Sequence, residues 1–176
     1  VADEKTLCVM GTFDAETERR FEAIKAKIRL PGCEVDEQPP HLTFGIYSGV
    51  DRAEMIRYIE EVAGNLSKTQ LFFGLVGVFP ESEVLFAAPS VTQELLDMHA
   101  TIHTRYDDFC FDKNCLYSLQ GGKWIPHITL ATPRNCQPQD VLAIILEEFT
   151  PFEGEITHLR ITEQEPLVEV AAFALR

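Results

Sequence analysis

Pro40-His41-Leu42-Thr43-Phe44 returns, 86 residues on, as Pro126-His127-Ile128-Thr129-Leu130. Each is a His-x-Thr in a run that reads as a strand. Strand side chains alternate faces, so His41 projects with Thr43 and His127 with Thr129, while Leu42 and Ile128 point into a core. One such tripeptide is noise. Two in matching surroundings predict one site lined by two halves of a duplicated domain.

Working outward, Thr6 to Phe13 reads as a strand. Asp14 caps a helix to about Leu30, with Phe21, Ile24 and Ile28 on one face, and Pro31-Gly32 stops it. Pro39-Pro40 favours extended backbone into the strand His41 to Tyr47. Asp51 with Glu54 makes a capping box for a helix to about Asn65, with Met55, Ile59, Val62 and Leu66 inward. Strands Gln70 to Phe79 and Val84 to Ala88 flank a turn at Pro80 to Glu83. Ser90 with Gln93 is read as a second capping box, opening a helix to about Tyr106 with Leu95, Met98 and Ile102 inward. Asp107 to Lys123 holds candidate strands near Cys110 and Tyr117 and a turn at Gly121-Gly122. The second motif strand spans Trp124 to Thr132. Pro138 suits a helix's first turn, with Val141, Leu142, Ile145 and Phe149 apolar, and strands Glu155 to Thr162 and Val168 to Leu175 close the chain.

Each motif histidine stands ten residues before a helix start, Asp51 or Gln137. Each half therefore reads helix, His-x-Thr strand, helix, strand, strand. This order predicts an α+β fold: one domain over residues 1–176, bilobal and pseudo-two-fold, with two largely antiparallel sheets and outer helices around a central cleft.

At 176 residues the chain can bury roughly two-thirds of its unfolded surface. No apolar run reaches the roughly 18 residues of a membrane span, and Val1 to Lys5 lack the pattern of an export signal. A cytoplasmic monomer is expected. Five cysteines, with no zinc spacing among them, read as reduced thiols; a Cys110–Cys115 bridge is disfavoured by the odd count. The net charge of −13 and the lack of a basic run argue against an extended nucleic-acid partner, while a small local positive pocket remains allowed.

Histidine titrates nearest neutrality. Two can divide acid–base work: one takes a proton from an incoming oxygen, the other gives one to a departing oxygen. A threonine beside each can donate to phosphate oxygens where charge develops. This is the machinery of displacement at phosphorus, and it needs no metal and no cofactor.

The chain resembles the two-histidine (2H) phosphoesterase superfamily here. Pro40 to Phe44 and Trp124-Ile125-Pro126-His127-Ile128-Thr129-Leu130-Ala131 are similar to that superfamily's paired signature, most of all in its 2′-5′ RNA ligase-like branch, which includes cyclic phosphodiesterases. The segment Phe73 to Pro89 and the helix bearing Leu95, Leu96 and His99 follow in similar order. The resemblance implies metal-independent phosphodiester chemistry, commonly opening a 2′,3′-cyclic phosphate to a 2′-phosphomonoester. It implies His41 and His127 as the acid–base pair and Thr43 and Thr129 as phosphate donors. His127 is assigned to water and His41 to the leaving oxygen, though pseudo-symmetry allows the exchange.

Two departures narrow the substrate. Gly45 stands where relatives acting on RNA often carry a basic residue, and Arg134 is displaced behind Thr132 and Pro133. A small nucleotide or RNA-terminus phosphodiester is expected over a polymer. Arg134 and Lys123 are candidates for phosphate, and Trp124, Tyr117 and Phe13 for a base; each aromatic also suits a core. His99 and His103, four apart, have a spacing that can grip metal, but are read as helix-edge residues; His158 is read as structural. The alternative function is a non-catalytic nucleotide-binding module with the same cleft.

Overall fold

The computed structural model describes residues 6–110, 116–164 and 167–176. Its elements are β1 (Leu7–Phe13), α1 (Ala15–Lys25), β2 (Cys33–Val35), β3 (His41–Tyr47), α2 (Arg52–Ala63), β4 (Thr69–Val78), β5 (Leu85–Pro89), α3 (Gln93–His103), β6 (Ile128–Pro133), α4 (Pro138–Glu148), β7 (Phe152–Glu163) and β8 (Val168–Ala174). Val1 to Lys5 and Cys115 lie outside the described residues.

The helix starts follow from their caps. Asp14 accepts from the Glu16 and Thr17 N–H groups, and Asp51 from that of Glu54. Pro138 fills the first turn of α4. At α3 the cap is Thr92, which accepts from Leu95 N–H, and not Ser90. Ser90 is still tied to the sheet, its N–H donating to the Phe72 carbonyl at 2.7 Å. α1 ends at Lys25, short of Leu30. Beyond it the chain tightens, with Lys27 N–H on Ile24 O and Ile28 N–H on Lys25 O, while the buried Lys25 ammonium reaches the Gln38 carbonyl at 2.7 Å. Ile28 still joins the core.

All strand pairs are antiparallel, and they form one hydrogen-bonded path, β2-β6-β5-β4-β7-β1-β3, with β8 on β7. β4 joins the two expected sheets: Thr69 to Phe73 pairs with β7, and Phe73 to Val78 with β5. The path from β6 to β3 reads the same after exchanging β6 with β3, β5 with β1 and β4 with β7. The repeat therefore starts one strand earlier than the sequence suggests, as β1-α1-β3-α2-β4 and β5-α3-β6-α4-β7. The short β2, missed in the sequence, and β8 stand outside it. No strand forms at Tyr117; Asp107 to Phe109 is a 3-10 turn, and Cys110 makes one bridge to Tyr47.

The helical face of the sheet carries the core. Phe13, Phe21, Phe73 and Phe152 interlock edge to face where the halves join, with Phe21 to Phe73 centroids 5.0 Å apart. The opposite face carries His41 and Thr43. Among the described residues no helix is long and apolar enough to cross a membrane.

Candidate active site

Both motif histidines are built the same way. A proline precedes each, and the ring Nδ1 lies against the carbonyl two residues back: Pro39 O at 2.9 Å for His41, Ile125 O at 2.8 Å for His127. A carbonyl can only accept, so each Nδ1 carries the proton. Nε2 is left to take or give another. The tautomer is thus set by backbone geometry, as acid–base work requires. His41 opens β3. His127 precedes β6, because Trp124 to His127 do not join the ladder.

The threonines follow from strand alternation. Thr43 and Thr129 are half-buried on the histidine face, whereas Leu42, Phe44, Ile128 and Leu130 are sealed in the core. β3 and β6, far apart along the sheet path, approach one another as the sheet curls. The two histidines interact. Burial holds His127 below its ordinary value, the Ile125 carbonyl opposes this, and the charge of His41 lowers it further.

Their surroundings differ. Phe79 and Phe86 stack at 4.3 Å, and both present their rings to His127, at 4.9 and 5.6 Å between centroids. His41 adjoins a cavity of about 150 Å³ that Thr12, Arg160 and Glu169 help to line. Register explains these neighbours. Thr12 sits opposite both His41 and His158, Met10 opposite Thr43 and Arg160, and Phe86 opposite Thr129. Phe79, Phe86, Thr12 and Arg160 went unread in the sequence, since only strand pairing brings them to the motifs. A larger hollow of about 560 Å³ at Lys68, Gln70, Glu94 and Asp97 contains no motif residue.

The other candidates fall into place. Phe13 is 4 % exposed and belongs to the aromatic core, not to a base-stacking wall. Trp124 stacks on His99 at 3.8 Å, nearly parallel, and its Nε1–H donates to the Thr43 carbonyl at 3.1 Å. One motif segment thereby holds the other. Tyr117 packs against the core, and its carbonyl meets His99 Nε2 at 2.8 Å. Lys123 is exposed. Arg134 is exposed and paired with Glu34 at 2.9 Å, so its charge is matched locally.

His99 and His103 are not helix-edge residues; they are 4 % and 0 % exposed. His103 Nε2 meets the Phe44 carbonyl at 2.8 Å, and its Nδ1 lies 2.8 Å from an Asp107 carboxylate oxygen without the alignment of a good hydrogen bond. Burial lowers both, His99 to about 4 with help from the His103 charge. His103 and Trp124 hold two carbonyls of the edge strand β3, those of Phe44 and Thr43, while His99 holds that of Tyr117. The described residues contain no group of three or more His, Cys, Asp or Glu able to hold a metal ion. Gly45 also has a local reason. A Cβ there would stand 2.5 Å from the Tyr47 hydroxyl, so a larger side chain has no room as Tyr47 is placed. His158 points to the His41 face and has its Nδ1 2.9 Å from the Thr157 hydroxyl.

Comparison with known proteins agrees with this architecture. A sequence model described as the 2′-5′ RNA ligase superfamily matches residues 13–166. No curated protein matches by sequence. Among solved structures, the chain is similar to TT0787 of Thermus thermophilus, with 17% identity and TM-score 0.71 over 97% of this chain and 98% of that one. A crystal structure of a phosphoesterase gives 17% and 0.69 over 98% and 99%. E. coli LigT complexed with 3′-AMP gives 17% and 0.68, again over 98% and 99%.

Proposed function

The chain belongs to the 2′-5′ RNA ligase superfamily of phosphoesterases, and from that premise we propose that it hydrolyses a 2′,3′-cyclic or 2′-linked nucleotide or RNA-end phosphodiester without a metal. The observation that carries this reading is the pair of tautomer-locked histidines, each offering Nε2, with His127 lowered by burial and by the charge of His41.

In the proposed cycle His127, held below its ordinary value, is neutral near pH 7, and its Nε2 takes a proton from water. The water oxygen bonds to phosphorus in line with the departing oxygen, whose bond to phosphorus breaks. His41 gives that oxygen its Nε2 proton. Thr43 and Thr129 donate to the non-bridging oxygens, where negative charge grows. Solvent then restores both rings. The 3′-AMP complex of E. coli LigT supports a small nucleotide as the ligand class.

The test is turnover of 2′,3′-cyclic nucleotides in excess chelator, with 2′- and 3′-phosphate products resolved. His41→Ala and His127→Ala should each lose roughly 10²–10⁴-fold in rate. Full activity in either variant removes that residue from the mechanism. Tight nucleotide binding without turnover in the unmodified chain would favour the non-catalytic module, for which the locally neutralised Arg134 and the side-chain-free Gly45 speak.

A further inference from the structure

The cavity beside His41 has features the acid–base chemistry does not use. Thr12 is 2 % exposed and lines it, yet its hydroxyl has no hydrogen-bond partner. The Arg160 Nε, on the neighbouring strand and in the same wall, is likewise buried without a partner. The Arg160 Nη1 is held by Glu169 at 3.0 Å. Buried polar groups left unpaired are costly and uncommon, and a pair of them in one cavity wall marks a place where a ligand supplies what the protein does not.

The chemistry of the wall selects that ligand. Arg160, Thr12 and Thr162 offer donors, Glu169 offers an acceptor, and Met10 and Pro39 add apolar surface. A second phosphate would meet the Glu169 carboxylate. Hydroxyl groups, which both give and accept, suit the mixture. The volume of about 150 Å³ is of the order of five water molecules, room for one sugar ring. His41 gives its proton to the departing oxygen, so the carbon skeleton bearing that oxygen must lie on the His41 side. We infer that this cavity, walled by Thr12, Arg160 and Glu169, seats the sugar that carries the leaving oxygen. The inference rests on the phosphodiesterase reading above and adds to it the group recognised.

Calorimetry on the full chain separates the two ideas, with 2′-AMP and inorganic phosphate as probes. Thr12→Val keeps the shape and deletes the orphaned hydroxyl. It should raise the Tm and weaken 2′-AMP by about 3- to 10-fold, leaving phosphate unchanged. Glu169→Gln, at a more exposed position, should weaken 2′-AMP by a similar factor. Equal losses for both probes, or no loss for either, overturn the inference. So does a Glu169→Gln chain that binds both probes more tightly, because the cavity would then seat an anion. A wild-type chain that binds phosphate but not 2′-AMP overturns it as well. Turnover is read separately: 2′-AMP bound as expected with no opening of 2′,3′-cyclic AMP sinks the function and leaves the seat standing.

Discussion

The segments around His41 and His127 begin alike and end differently. Each histidine follows a proline, donates Nδ1–H to the carbonyl two residues back, and stands two residues before a threonine. Yet His127 lies against two phenylalanines, whereas His41 borders a cavity with an arginine and a carboxylate in its wall. Apolar walls penalise the charged ring, and a charged ring nearby penalises it again. In the proposed cycle the repeated motif supplies two equivalent tools, and the unrepeated neighbours assign them. That cycle makes His127, held below its ordinary value by burial, the base, and leaves the side of Arg160 and Glu169 to the leaving group.

The strongest way to break this comparison is to delete each histidine and follow the pH–rate profile. His127→Ala should remove the acid limb along with the rate, and His41→Ala the alkaline limb. Identical residual profiles would make the two interchangeable. Trp124→Phe tests the tie between the segments. It keeps a ring on His99 and deletes the donor to the Thr43 carbonyl. A loss of about 1 kcal/mol in stability and a several-fold fall in kcat/KM are expected; an unchanged rate would make Trp124 a packing residue only.

Phe79→Ala sharpens the contrast itself. Water admitted to His127 should move the acid limb of the profile up towards about 6.5, the ordinary histidine value. A limb that stays put would show that Phe79 does not set the base. The smallest effect expected is on acid stability. His99, at about 4, and His103 and His127, both lowered by burial, resist protonation in the folded state. Below about 6.5 the unfolded chain takes up protons that the folded chain refuses. The stability they confer is therefore complete above that pH and falls as pH drops towards 4. The Tm should fall between pH 7 and pH 5, and less so in His99→Gln, which keeps an N–H for the Tyr117 carbonyl. Equal falls in both chains would clear His99.

Much of this was legible in the sequence because it is local. Asp14, Asp51 and Pro138 announce their helices within four residues, and the period-two pattern of His41 to Phe44 gives both strand and face. The equal spacing from each histidine to the next helix start exposed the repeat. What stayed hidden depends on pairing between distant strands. Ser90 reads as a cap in the sequence, but its N–H is bonded to Phe72 in β4 and the cap of α3 falls to Thr92. Thr12, Arg160 and Phe86 reach the site through register, which no short motif encodes. Phe13 and Trp124 illustrate the same limit from the other side. Their chemistry suits a base-stacking wall equally well, and the fold gives one to the aromatic core and the other to His99 and Thr43.

The central claim is that two backbone-locked histidines, one held neutral and one donating, open a phosphodiester without a metal. The most direct test is kcat/KM for 2′,3′-cyclic AMP from pH 4 to pH 9 in excess chelator. The account predicts undiminished turnover and a bell-shaped profile whose acid limb lies below about 6.5. Activity that disappears with chelator and returns with a divalent ion, or a profile with no acid limb, would contradict it.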